Sequence, residues 1–141
     1  MITFTVWGVA QPKGSAKAFV PAGWTRAVVT SANPKVKGWQ QLIAEAASDA
    51  LDEVPFGAGA YTTGPVKLTV DFRLPRPKAI GRRTPPHLKK PDLDKLVRSV
   101  KDALTKVLWR DDSQVTEIEA RKGYVDNNGS PHAVITVEAV R

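Results

Sequence analysis

Nine consecutive residues, Val66 to Leu74, alternate without a fault between apolar side chains (Val66, Leu68, Val70, Phe72, Leu74) and polar ones (Lys67, Thr69, Asp71, Arg73). Only an extended strand sends successive side chains to opposite faces, so this segment belongs to a sheet with one face buried. The next long periodic segment changes its period. Leu93, Leu96, Val97, Val100, Leu104, Val107 and Leu108 recur at intervals of three and four, the pattern of an amphipathic helix. Val115 to Val125 reads as a strand again. Strand, helix and strand in this order can form a parallel crossover, which would be right-handed.

The rest of the chain fits around that unit. Ile2 to Val9 alternates as a half-buried strand, and Gln11-Pro12-Lys13-Gly14-Ser15 breaks it as a turn. Ala18–Val20 and Arg26–Thr30 are weaker strand signals. After Asn33-Pro34, a helical period runs through Trp39, Leu42, Ile43, Ala46, Ala47, Ala50 and Leu51. Residues 55–65 read as loop. A last strand is expected from Pro131 through Val140, after the turn residues Asp126-Asn127-Asn128-Gly129, antiparallel to the strand before it. The expected fold class is α+β: a small mixed β-sheet with two main helices in the order ββαβαββ. With 141 residues, no internal repeat and no composition boundary, residues 1–141 read as a single domain.

Several function classes fall away at once. The chain has no cysteine, which removes disulfide frameworks, thiolate zinc sites and thiol catalysis. With only His87 and His132, a serine–histidine–aspartate arrangement has no support. No apolar run approaches the roughly 18 residues that a membrane span needs. The first residues alternate rather than forming a continuous apolar leader, so an intracellular protein without membrane contact is expected.

The formal charge is +7, and its location says more than its size. Between Arg73 and Lys90 lie seven basic residues (Arg73, Arg76, Lys78, Arg82, Arg83, Lys89, Lys90) and no acidic one. The rest of the chain is balanced. Pro75, Pro77, Pro85 and Pro86 share that stretch and disfavour helix, which makes it an extended basic loop. Such a loop suits either a polyanion, through phosphate contacts, or plain solvent.

Acidic residues bracket the second helix: Asp92 and Asp94 before it, Asp111 and Asp112 after it. Residues at i and i+2 share a face only in extended chain, and Pro91 biases the residue before it toward that geometry. Carboxylate oxygens are hard ligands suited to magnesium or manganese, and such ions assist phosphodiester displacement. Taken alone, an Asp-x-Asp is better explained by ordinary helix capping. The neighbouring loop separates the readings, because carboxylates beside a bound polyanion are tolerable only with a cation between them.

The segments His87-Leu88-Lys89-Lys90-Pro91-Asp92-Leu93-Asp94-Lys95-Leu96, Asp102-Ala103-Leu104 and Asp111-Asp112-Ser113-Gln114-Val115 resemble the RusA family of Holliday-junction resolvases. These are metal-dependent endodeoxyribonucleases common in phages and prophages. The likeness is close from about Val66 to Tyr124, and Gly8 to Ser15 resembles the family's opening turn. It implies a RusA-like fold and Mg2+ (or Mn2+) held by Asp92, Asp94 and Asp112. It also implies a symmetric homodimer acting on four-way DNA junctions in recombination and repair, in the cytoplasm of a bacterial or phage-infected cell.

Asp111 is then a cap or a supporting residue, and Asp71 a further acid on the strand entering the basic loop. Arg76, Lys78, Arg82, Arg83, Lys89, Lys90 and Lys13 would hold the DNA backbone, positioning it without reading sequence. Two positions depart from the family: Lys95 replaces its usual asparagine, and Arg98 its lysine. Arginine neutralises charge but does not release a proton near neutral pH, so any proton transfer would fall to Lys95 or Lys101. Arg98 or Lys101 would stabilise the transition state. His87 suits a phosphate, a metal or an ordinary loop. Trp7, Trp24, Trp39 and Trp109 could stack on bases, with Trp39 and Trp109 better suited to the core.

A helix from Lys95 to about Val107 rises roughly 20 Å, which carries Asp112 to the end opposite Asp92 and Asp94. Either the next strand returns Asp112 to its own chain's pair, or a two-fold axis supplies it from a partner. The rival functions are a catalytically silent, structure-selective DNA-binding protein whose acids are only caps, and a nuclease for other branched or flap DNA.

Overall fold

A computed structural model describes residues 1–14, 16–19, 22–23, 25, 28–31, 33–53 and 62–140. Its elements are strands β1 (Ile2–Trp7), β2 (Ala16–Phe19) and β3 (Val28–Ser31), helix α1 (Val36–Glu53), strand β4 (Val66–Leu74), helix α2 (Leu93–Leu104), and strands β5 (Val115–Tyr124) and β6 (His132–Ala139). The class is α+β with two helices, as the periodicity predicts. Three strands precede α1 where the order ββαβαββ has two, because β2 and β3 form a separate two-stranded ribbon. Val20, Trp24, Arg26 and most of the loop expected over 55–65 lie outside the described residues.

The main sheet has the order β1-β6-β4-β5. β4 and β5 run parallel around α2, which confirms the crossover. β6 is antiparallel to both β1 and β4. The expected pairing of β5 with β6 does not form: the two run in opposite directions with β4 between them. The reason is apolar demand. β6 sends Ala133, Ile135 and Val137 into full burial and needs a central place, whereas β5 carries exposed Thr116, Glu117, Ile118 and Glu119 and suits an edge. The connection crosses the end of β4, where the Val125 amide donates to the Leu74 carbonyl at 2.8 Å and Arg76 donates to the Val125 carbonyl at 2.9 Å.

One face of the sheet holds the core. Ile2, Phe4 and Val6 of β1, all five apolar residues of β4, and the three of β6 pack under α1 and α2. α1 lays Trp39, Ile43 and Ala47 on this layer, and α2 lays Leu96, Val97, Val100 and Leu104. Fully buried side chains of this size each contribute about 1.5–3 kcal/mol by leaving water. Gly8 lies against the Trp39 indole at φ +146, a conformation that L side chains rarely adopt.

α2 ends at Leu104, four residues before the apolar period does. The Thr105 amide closes the last turn on the Lys101 carbonyl, and Lys106 turns the chain at φ 72. Val107 and Leu108 keep the helical spacing only because the chain folds back and packs both against the same core. Trp109 anchors the turn: it is fully buried, and its Nε1 donates to Thr105 Oγ1 at 3.0 Å. The opposite face of the sheet is polar, with Lys67 paired to Glu119 at 3.1 Å and Asp71 to Arg73 at 2.9 Å.

Candidate active site

The basic loop leaves β4 at Pro75 and returns to the start of α2. Two of its arginines hold the loop's own backbone. The Arg76 guanidinium donates to the carbonyls of Val125, Gly81 and Arg83, and Arg83 donates from Nε to the Ile80 carbonyl at 3.2 Å. Their charge remains, but their geometry belongs to the loop. Lys78, Arg82, Lys89 and Lys90 are exposed. The loop is therefore an ordered rim with projecting cations, a form suited to a phosphate backbone.

Lys122, near the end of β5, ties this rim to the sheet by donating to the carbonyls of Lys89 (2.7 Å) and Pro91 (2.9 Å). Sequence reasoning missed it. The one available signal is a lysine opposite Phe72, on the core side of an otherwise alternating strand. His87 packs its ring on Tyr124 with centroids 4.6 Å apart, and its Nδ1 is buried without a partner. Burial, then the nearby Lys122 ammonium, hold its pKa below the ordinary value of 6.5. It is a packing residue of the rim.

Asp92 follows as the N-cap of α2, in extended geometry (φ −71, ψ 139). Its carboxylate accepts no capping hydrogen bond, its side chain is about half exposed, and Lys95 Nζ stands 3.8 Å away. Asp94, exposed in the first helical turn, lines a groove of about 760 Å³ between α2 and β5. Arg98, Lys101, Asp102 and Asp112 line the same groove over an apolar floor of Leu93, Val97, Ile118 and Ala120.

The other acidic pair is differently placed. Asp111 Oδ1 accepts from the Ser113 amide (2.9 Å) and hydroxyl (2.8 Å), and these bonds lower its pKa. Gln114 completes a capping box, accepting from the amides of Arg110 and Asp111 and donating to the carbonyls of Thr62 and Gly64. Asp112 has an oxygen 3.3 Å from Lys101 Nζ. Lys101 lies seven residues beyond Asp94, a backbone rise of roughly 10 Å along the helix. Among the described residues no group of three acids or histidines is close enough to hold a metal ion. The three aspartates expected to meet do not do so within one chain.

The remaining expected residues fall in three places. Lys13 pairs with Asp102, and its amide donates to the Lys95 carbonyl at 3.0 Å, which fastens the opening turn to α2. Asp102 is a groove residue that sequence reasoning missed. Its spacing of eight from Asp94 is the signal that puts both on one helix face. Asp71 lies on the opposite face of the sheet, paired with Arg73. Trp39 and Trp109 are core residues, and Trp7 is 63% exposed.

Asp92 and Asp94 offer carboxylate oxygens, uncommitted to capping, at the start of a helix. Magnesium is usually held by one or two carboxylates together with water and substrate phosphate, so this pair fits the ion.

Comparison with known proteins agrees with this arrangement. A family model described as Endodeoxyribonuclease RusA matches residues 10–138. The chain is also similar to the uncharacterized protein YqaN of Bacillus subtilis (strain 168), with 31% identity over 134 residues, covering 87% of each chain. The family match takes in most of the opening turn, the basic rim, both acidic pairs and the whole parallel crossover, and the chain belongs to the RusA endodeoxyribonuclease family.

Proposed function

We propose that the protein is a magnesium-dependent endodeoxyribonuclease that resolves four-way DNA junctions by paired, symmetric nicks, acting as a homodimer. Manganese could serve in the same place. The observation that carries this reading is the state of Asp92 and Asp94: exposed, without a capping role, and directly beside a rim of projecting cations. It weighs against the rival in which the acids only cap a helix, since the Asp92 carboxylate accepts no capping bond.

Asp92 and Asp94 would hold the ion, which when bound supplies activation of water and neutralisation of phosphodiester charge. Lys78, Arg82, Lys89 and Lys90 would fix the DNA backbone at the rim, with Arg76 and Arg83 keeping the rim rigid. Arg98, one helical turn beyond Asp94 on the groove wall, would stabilise charge at the reacting phosphate and stay protonated throughout. Lys101, held by Asp112, is the side chain placed to move a proton in that groove.

The groove's apolar floor and the unpaired edge of β5 call for a protein surface, and a second copy supplies one. If two such grooves face one another across a two-fold axis perpendicular to α2, the start of each α2 lies over the end of the other. Asp112 of the partner subunit would then approach Asp92 and Asp94.

The test is a labelled four-way junction incubated with and without magnesium. Symmetric nicks that need the ion and vanish in Asp94→Asn, with binding retained, support the reading; binding without any nicking defeats it. A panel of flap and linear substrates separates junction resolution from other branched-DNA cleavage.

A further inference from the structure

The open face of the sheet has two unlike ends. At the end where β4 feeds the basic rim, four residues stand in one row across all four strands: Trp7 opposite His132, His132 opposite Arg73, and Arg73 opposite Gly123. Trp7 is 63% exposed, and its indole lies against the His132 ring with centroids 4.8 Å apart. His132 Nδ1 donates to the Ser130 carbonyl at 2.8 Å, which fixes the ring beside the indole.

Gly123 lets the Arg73 guanidinium lie across β5, since a Cβ there would stand 3.0 Å from Nη1. Asp71, on the same face of β4, is already paired with Arg73. Exposed Arg121 lies opposite Asp71 on the same face. The acids Glu117, Glu119 and Glu138 gather at the other end, four or more residues along the strands, about 13 Å away.

We infer that this row is a second nucleic-acid contact, in which an unstacked nucleobase lies on Trp7, whose indole is set against His132, and its neighbouring phosphate is held by Arg73. Three observations select this occupant. The patch joins an aromatic face to cations, the pairing that single-stranded nucleic acid uses. It is continuous with the basic rim through Arg73 and Pro75. It lies at the same end of the sheet as Asp92 and Asp94 but on the opposite face, so a strand leaving the acids reaches it by passing around the rim. The inference rests on the protein binding DNA and does not require cleavage.

The experiment uses fluorescein-labelled (dT)10 and a fully paired hairpin duplex, with anisotropy read in EDTA so that nuclease activity plays no part. For (dT)10, Trp7→Ala is expected to weaken binding about ten-fold, and Trp7→Phe to retain most of it. Arg73→Gln is expected to weaken binding and flatten its salt dependence. Duplex binding is expected to be unchanged in Trp7→Ala. Equal (dT)10 affinity in wild type and Trp7→Ala overturns the inference, as does an equal loss on the duplex. Sedimentation of Trp7→Ala as a smaller species than wild type also overturns it, because a second copy would then cover this face. Loss of nicking in Asp94→Asn with (dT)10 binding intact separates this contact from the cleavage site.

Discussion

The two ends of α2 carry the same chemical group in opposite states of commitment. At the start, the carboxylates of Asp92 and Asp94 are exposed, and Asp92, at the N-cap, accepts no capping bond and lies 3.8 Å from Lys95 Nζ. At the far end, Asp111 is consumed by a capping box and Asp112 lies against Lys101. Four aspartates that look alike in a sequence thus divide into an exposed acid in the first helical turn (Asp94), a structural cap (Asp111) and two acids that each face a lysine (Asp92 and Asp112). The lesson is that availability, more than residue type, marks a reactive acid, and availability is set by local backbone geometry.

Breaking the first end should have the largest effect. Asp94→Asn is expected to lower junction nicking roughly a thousand-fold while leaving junction binding within a few-fold, measured in single-turnover assays and by mobility shift. Asp111→Asn is expected to retain cleavage, because its carboxylate serves only the turn. A thousand-fold loss in that variant would erase the contrast between the ends. Mixed dimers sharpen it further. Asp94→Asn and Asp112→Asn, each inactive alone, should regain nicking of one strand when mixed if each site draws on both subunits, since one of the two sites is then wholly native. Sites contained within single chains predict no recovery.

Smaller effects concern what holds each end. Gln114→Ala leaves two amides and two carbonyls without their partner and is expected to cost about 2 kcal/mol, read as a shift in the urea midpoint. Lys122→Met removes the tie from β5 to the segment before Asp92 and is expected to lower kcat/KM about ten-fold with little change in stability.

The smallest effect is a pH slope. His87 has its folded pKa lowered, so the unfolded chain takes up a proton first as pH falls. Its contribution is full above about 6.5 and is lost as pH drops through that value toward the folded pKa. His87→Phe should flatten the melting midpoint between pH 7 and pH 5 relative to wild type.

Much of this architecture is written in periodicity. The perfect alternation of Val66 to Leu74 could only be a buried-face strand, and the three-and-four spacing after Leu93 could only be a helix packed on it. What periodicity could not carry was competition between segments. β5 and β6 look like a hairpin locally, yet the apolar face of β6 takes the central position and displaces β5 to the edge. The end of α2 was misjudged for a similar reason, because Val107 and Leu108 are buried by a turn that happens to keep helical spacing. The acids were visible as residues, but their division into free and committed was not. That depended on side-chain bonds to Ser113, Gln114 and Lys101, which no spacing rule reveals.

Lys122 gives the outermost strand an unexpected responsibility. An edge strand is the part of a sheet most prone to fray, and here its last residues fix the stretch of backbone from which Asp92 projects. Whatever steadies that margin therefore steadies the acids, and whatever loosens it disarms them. If the margin is steadied by a second copy, dilution should silence the protein before it unfolds, making assembly itself a condition of cutting.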